Sequence, residues 1–158
     1  MSGVTLRPMT DDEFAEFVAE SQAGFVEQMV EMAGADREAA VARADADYNT
    51  LLPQGAATPG HEFRLAADEQ GDVVGHLWVG LKDGPGPVVA WVYDVEVDGT
   101  HRGRGHGRAI MEAAEDLARE MGASSLGLNV FGGNAVARAL YESLGYVVTA
   151  QQMSKPLR

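Results

Sequence analysis

Apolar residues recur at helical spacing through the first third of the chain, then at every second position through its middle. Residues 4–7 form a short β-prone stretch. Thr10-Asp-Asp-Glu13 is a capping box, in which Thr10 caps a helix and Glu13 reaches back to it. Phe14, Phe17, Val18, Phe25 and Met29 carry that helix to about Met32, where Gly34 stops it. Asp36 caps a second helix bearing Ala40, Val41, Ala44, Tyr48 and Leu51, which Pro53 ends. Beyond a loop at 53–60 the period changes to two. Strands are predicted over 62–67, 73–81 and 88–97, separated by turns at Gln70-Gly-Asp72 and Asp83-Gly-Pro-Gly-Pro87. Helical spacing returns over 109–121, with Ile110, Ala114, Leu117 and Met121 on one face. A strand over 125–131 follows, then a helix from Asn134 to Gly145 and a last strand over 146–153. The order β-α-α-β-β-β-α-β-α-β predicts an α+β (mixed α/β) fold, an antiparallel meander feeding a parallel crossover.

At 158 residues this is one domain, 1–158, long enough to bury a core. The formal charge of −12 argues against nucleic acid or an anionic membrane as partner. The chain has no cysteine, which removes disulfides, thiolate metal sites and a cysteine nucleophile. No signal-peptide core and no bilayer-length apolar run are present, so the expected location is cytoplasmic. The histidines at 61, 76, 101 and 106 lack metal-ligand spacing, and no metal is expected. His76, on a strand, reads as structural.

Against this acidity one basic island stands out. Arg102-Gly103-Arg104-Gly105-His106-Gly107-Arg108 joins the 88–97 strand to the next helix. A strand that ends in a glycine-rich turn and opens into a helix binds phosphate through bare backbone N–H groups and the helix dipole. Arginine adds forked hydrogen bonds to phosphate oxygens. The glycine spacing fits neither the dinucleotide fingerprint nor a P-loop.

The chain resembles the GNAT superfamily of acyl-CoA-dependent N-acetyltransferases through two motifs. Arg102-Gly-Arg-Gly-His-Gly107 matches that family's Arg/Gln-x-x-Gly-x-Gly/Ala signature. Asn134-Ala-Val-Ala-Arg-Ala-Leu-Tyr141-Glu-Ser-Leu-Gly145-Tyr146 is similar to its closing pattern. The likeness covers the C-terminal half well and the N-terminal helices only in general form. It implies that acetyl-CoA is the cosubstrate, its pyrophosphate held by the amides of Arg104 to Gly107 with Arg102 and Arg108 nearby. It implies that Val95 and Val97 pair their backbone with the pantetheine arm, where the 125–131 strand splays away. It implies that Asn134 contacts the same arm, while a plain N-cap role fits the residue equally.

The implied reaction is direct attack by a primary amine, on a small molecule or a peptide, on the acetyl thioester. The family's acid position falls on Tyr141, facing the departing sulfur. The backbone N–H near Val95 would meet the oxyanion. Asp94 and Glu96 alternate with Val95 and Val97 and belong on the opposite face of the sheet. Each is a candidate base, or alternatively an ion-pair partner of arginine or of a cationic substrate. Phe25, Met29, Tyr48, Trp78, Trp91 and Tyr93 could wall the acceptor site, although as a set they read better as core. A non-catalytic acyl-CoA-binding regulatory module on the same fold is the alternative reading. A homodimer is the default assembly.

Overall fold

The computed structural model describes residues 3–157. They divide into two compact units, one up to Leu128 and one from Asn129 onward. In the first unit β1 (Thr5–Pro8) is followed by helices α1 (Asp11–Ala33) and α2 (Arg37–Leu51). Strands β2 (His61–Ala67), β3 (Val73–Lys82) and β4 (Val89–Val97) come next, then α3 (His106–Glu120) and β5 (Ser125–Leu128). The described strands form one sheet in the order β1-β2-β3-β4-β5. Pairing is antiparallel from β1 to β4 and parallel between β4 and β5, with α3 as the crossover.

The start of α1 is built as its sequence requires. Thr10 accepts from the Glu13 N–H at 3.2 Å, and the Glu13 carboxylate accepts from the Thr10 N–H at 2.9 Å. Arg7 of β1 adds a forked pair to Glu13 at 2.9 and 2.8 Å. These bonds hold the Glu13 pKa at about 2, the Arg7 hydrogen bond contributing most. They also tie the edge strand to the helix that covers the sheet.

One face of the sheet packs against α1 and α2. Phe17, Leu52, Phe63 and Trp78 are buried there, with Phe14, Tyr48 and Tyr93 against them. The two helices meet each other through Val26, Ala40 and Ala44, so small residues on α2 let the helices approach closely. The other face packs against α3, whose Ile110, Met111, Ala114 and Leu117 are buried. Burying each of the larger side chains stabilises the fold by roughly 1.5–3 kcal/mol. Gly75 of β3 lies where Ile110 crosses: a Cβ there would stand 3.1 Å from the Ile110 Cδ1.

Two boundaries lie three residues from expectation, and the first is the end of β5, at Leu128 where 131 was predicted. Helix α3 begins at His106, three residues before the predicted start, because Gly105 at φ +81° ends the turn and caps the helix. Apolar periodicity cannot register that glycine-rich first turn.

The second unit contains α4 (Ala135–Ser143), capped by Asn134, whose side-chain oxygen accepts from the Ala137 N–H at 3.2 Å. The strand expected over 146–153 does not form. Its β-prone residues need a ladder partner, and among the described residues none pairs with them. Val147, Val148 and Met153 are exposed, so alternation there buries no apolar face. Propensity alone does not make a strand.

Candidate functional site

The glycine turn follows β4 directly. Gly103 and Gly105 both take the left-handed conformation, at φ +77° and +81°, where a side chain would be strained. The first helical bond of α3 runs from the Ala109 N–H to the Gly105 carbonyl at 3.2 Å. The N–H groups of His106 and Gly107 therefore precede the hydrogen-bond ladder, at the positive end of a fifteen-residue helix. Its first turn carries no acidic residue. The structure turns the His106 side chain inward: the residue is 8% exposed, and its Nδ1 has no hydrogen-bond partner. The imidazole is thus not offered to solvent with the rest of the turn. Arg102 folds back on β4, donating from Nε to the Val97 carbonyl at 3.1 Å and lying 3.5 Å from Glu96.

Beside this turn the sheet opens. The β4–β5 pairing ends at Val92 opposite Leu128, and residues 93–97 have no partner in β5. The Asp98 N–H donates to the Val74 carbonyl at 2.8 Å. Backbone groups alternate in direction along a strand. Those of Asp94 and Glu96 therefore point into β3, and those of Val95 and Val97 point to the open edge. Val95 and Val97 thus face the open edge, where the Val97 carbonyl accepts from Arg102 Nε.

A β-bulge decides what the side chains do. Val92 pairs with Val79, and Asp94 pairs with Trp78, so the register skips Tyr93. As expected, Asp94 and Glu96 lie on the face opposite Val95 and Val97. Unbroken alternation would have put Trp91 and Tyr93 with the valines. Instead Trp91 lies opposite Gly80, and Tyr93 stacks on Trp78 at 4.7 Å, so both join the acidic face.

On that face His76 of β3 meets Asp94, with Nε2 3.0 Å from Oδ1. Phe17 presses edge-on to the imidazole at 4.9 Å. Burial works against the charged ring, but the Asp94 hydrogen bond and the charges of Asp94, Glu96 and Asp98 outweigh it, and the His76 pKa is raised. Tyr48 of α2 stands above, its hydroxyl 2.8 Å from Ser21 Oγ and its pKa raised chiefly by burial. Trp78 is core, donating from Nε1 to His61 Nδ1 at 3.0 Å. Phe25 and Met29 pack in the helix–helix contact, where the Phe25 ring lies 6.2 Å from that of Tyr48. Lys82 lies over the Trp91 ring at 4.4 Å. Sequence reasoning missed His76 as a partner of Asp94, because only the β3–β4 register brings the two together.

In the second unit Tyr141 is half-buried, and burial raises its pKa, so the hydroxyl is protonated at neutral pH. Its ring lies edge-on to Tyr146 at 6.0 Å, and its carbonyl accepts from the Tyr146 N–H.

Known proteins share this architecture. Residues 26–146 match the model of the acetyltransferase (GNAT) family. An uncharacterized N-acetyltransferase of Bacillus subtilis (strain 168), YycN, is 31% identical over 98% of this chain and 99% of its own. The crystal structure of YycN superposes with a TM-score of 0.88 over 98% of this chain and 99% of that one. A mycothiol acetyltransferase of Propionibacterium freudenreichii is 31% identical over 99% of this chain, which spans 48% of that relative.

Proposed function

The chain belongs to the GNAT acetyltransferase family, and from that premise we propose that it transfers an acetyl group from acetyl-CoA to a primary amine. The observation that carries this reading is the open edge of β4. Val95 and Val97 direct backbone groups into a gap that β5 vacates, where the Val97 carbonyl accepts from Arg102 Nε and the Val95 groups have no partner in β5, and the gap ends at a helix N-terminus behind two left-handed glycines. Unpaired backbone groups are costly if buried. A strand-like amide arm would satisfy them, and a pyrophosphate would meet the N–H groups of His106 and Gly107. The residues present thus fit acetyl-CoA, which supplies the acetyl group as an activated thioester.

The chain's own part is binding, orientation and proton handling. The edge holds the arm as an added strand, and the turn holds the phosphates. The Val95 N–H is oriented to donate to an oxygen that gains charge at the edge. Tyr141 carries the family's acid role by its place in the closing motif, and its raised pKa keeps the hydroxyl in the protonated state an acid requires. The acidic, aromatic face suits a cationic amine as acceptor, of small-molecule or peptide kind. We place the reaction in the cytoplasm. No helix among the described residues is long and apolar enough to cross a membrane.

One observation favours the rival reading, an acyl-CoA-binding module without catalysis. Each candidate carboxylate is engaged, Asp94 by His76 and Glu96 by Arg102. The test is thermal stability with acetyl-CoA, CoA, ATP and NAD, followed by thiol release with a panel of amines. At a hundredfold excess over its dissociation constant a ligand adds about 2.7 kcal/mol. The reading expects a shift with the CoA compounds alone, lost in Gly105→Glu, and amine-dependent thiol release. An equal shift with ATP or NAD refutes the cofactor assignment. Binding without thiol release favours the module.

A further inference from the structure

The register of β3 and β4 brings a third titratable side chain to the two carboxylates. His76 lies opposite Glu96 and diagonal to Asp94, and atoms of all three lie within 4.8 Å of one another. A carboxylate can only accept, so the 3.0 Å contact puts a proton on His76 Nε2. In the neutral ring the lone pair then belongs to Nδ1. Nδ1 has no hydrogen-bond partner among the described residues. Nor is it one of the buried, unpartnered side-chain atoms, which are Arg64 Nε and His106 Nδ1. It therefore keeps some access to solvent, on a side chain that is 19% exposed. One nitrogen is oriented by a carboxylate and the other is available, which is the arrangement of a histidine base.

We propose that His76 accepts the proton of the acceptor amine, with Asp94 as the positioning residue that holds its tautomer, and that neither carboxylate takes the proton itself. The proposal rests on the acetyl-transfer reading of this site. The ammonium loses one proton to Nδ1, directly or through one water. The N–H bond breaks, its electron pair stays on nitrogen as the attacking lone pair, and the ring becomes imidazolium facing Asp94. The surroundings are consistent with that charge. Asp94, Glu96 and Asp98 face it from β4 and its end, with Arg102 turned toward Glu96. Phe17 of α1 and Leu65 of β2 are uncharged, and Tyr48 of α2 has its hydroxyl at Ser21. The raised pKa brings the ring nearer to the basicity useful against an ammonium.

Two measurements test this. Long-range proton–nitrogen NMR of the intact protein reads the tautomer and titration of His76 without any turnover. Expected are the Nε2–H tautomer at high pH and a midpoint above that of an unperturbed histidine side chain, lowered in Asp94→Asn. The second is the pH dependence of kcat/KM, followed by thiol release. Wild type should lose activity on the acid side with the same midpoint. His76→Gln should lose that limb and fall by roughly 10²–10⁴-fold, with the acetyl-CoA KM unchanged. Asp94→Asn should keep the limb and move it to lower pH, and it decides the matter if His76→Gln does not fold. Added imidazole should restore part of the rate of His76→Ala. An unchanged acid limb in His76→Gln, or an Nδ1–H tautomer in wild type, overturns the role of His76 alone. An intact Nε2–H pair without thiol release from any amine overturns the acetyl-transfer reading, and this role with it.

Discussion

Alanine at position 75 probes the packing that places β4 and α3 together. Gly75 lies opposite Val97, under the strand end that opens toward the glycine turn. A Cβ there would come closer than 3.0 Å to the Glu96 carbonyl oxygen and to 3.1 Å from Ile110 Cδ1. The first neighbour is backbone, held by the β3–β4 ladder, and it cannot rotate away. The second belongs to a fully buried side chain with little room to yield. Overpacking of this kind costs about 1–3 kcal/mol, and a backbone clash places Gly75→Ala in the upper part, about 2–3. In a domain of this size each kcal/mol moves Tm by about 2–4 °C, so the expected fall is about 4–12 °C. Differential scanning calorimetry would measure it. Gly84→Ala is the control, because its Cβ would meet nothing within 4 Å and its φ is not left-handed. A Gly75→Ala protein melting within about 2 °C of wild type would refute the argument, since the clash would then cost under about 1 kcal/mol.

Other outcomes follow from the same structure. Met111→Ala removes a fully buried side chain of α3 and should cost about 2–5 kcal/mol in urea unfolding. Thr10→Ala removes the N-cap of α1 and should cost about 1 kcal/mol by the same measure. The Glu13 pKa of about 2 lies below the unfolded carboxylate value, so its contribution is present above that value and is lost as pH falls through about 2. Acid unfolding should accordingly show a smaller stability loss over this range in Glu13→Gln than in wild type. Tyr141→Phe should lower kcat by about 10²-fold with the acetyl-CoA KM unchanged, in steady-state thiol-release kinetics.

What was legible in the sequence was local. Thr10 and Glu13 are three residues apart, and the capping box they predict is the one that forms. The glycine turn is contiguous, so its place between β4 and α3 could be read directly. The meander followed from alternation and its turn residues. What escaped depends on register. Nothing in residues 91–97 signals that Tyr93 is skipped, so the move of Trp91 and Tyr93 to the acidic face could not be read. His76 and Asp94 are eighteen residues apart, and only the β3–β4 pairing makes them neighbours. The segment 146–153 has strand composition, but no residue type specifies a partner for it.

The skipped residue also governs how β4 can change over time. One extra position at Tyr93 keeps Asp94 and Glu96 in phase with His76 and Trp78, and Val95 and Val97 in phase with the open edge. Deleting Tyr93 would close the bulge and leave both carboxylates in place, whereas deleting Val95 would turn every later side chain to the other face, setting Glu96 opposite Leu77 and Val97 opposite His76. Substitutions in this strand act one position at a time, whereas a change in its length beyond Tyr93 acts on every later position together. The exposed turn at 83–87 has no such phase to keep. Natural length variation in this chain should therefore collect in that turn and, within the strand beside it, be confined to the bulge at Tyr93.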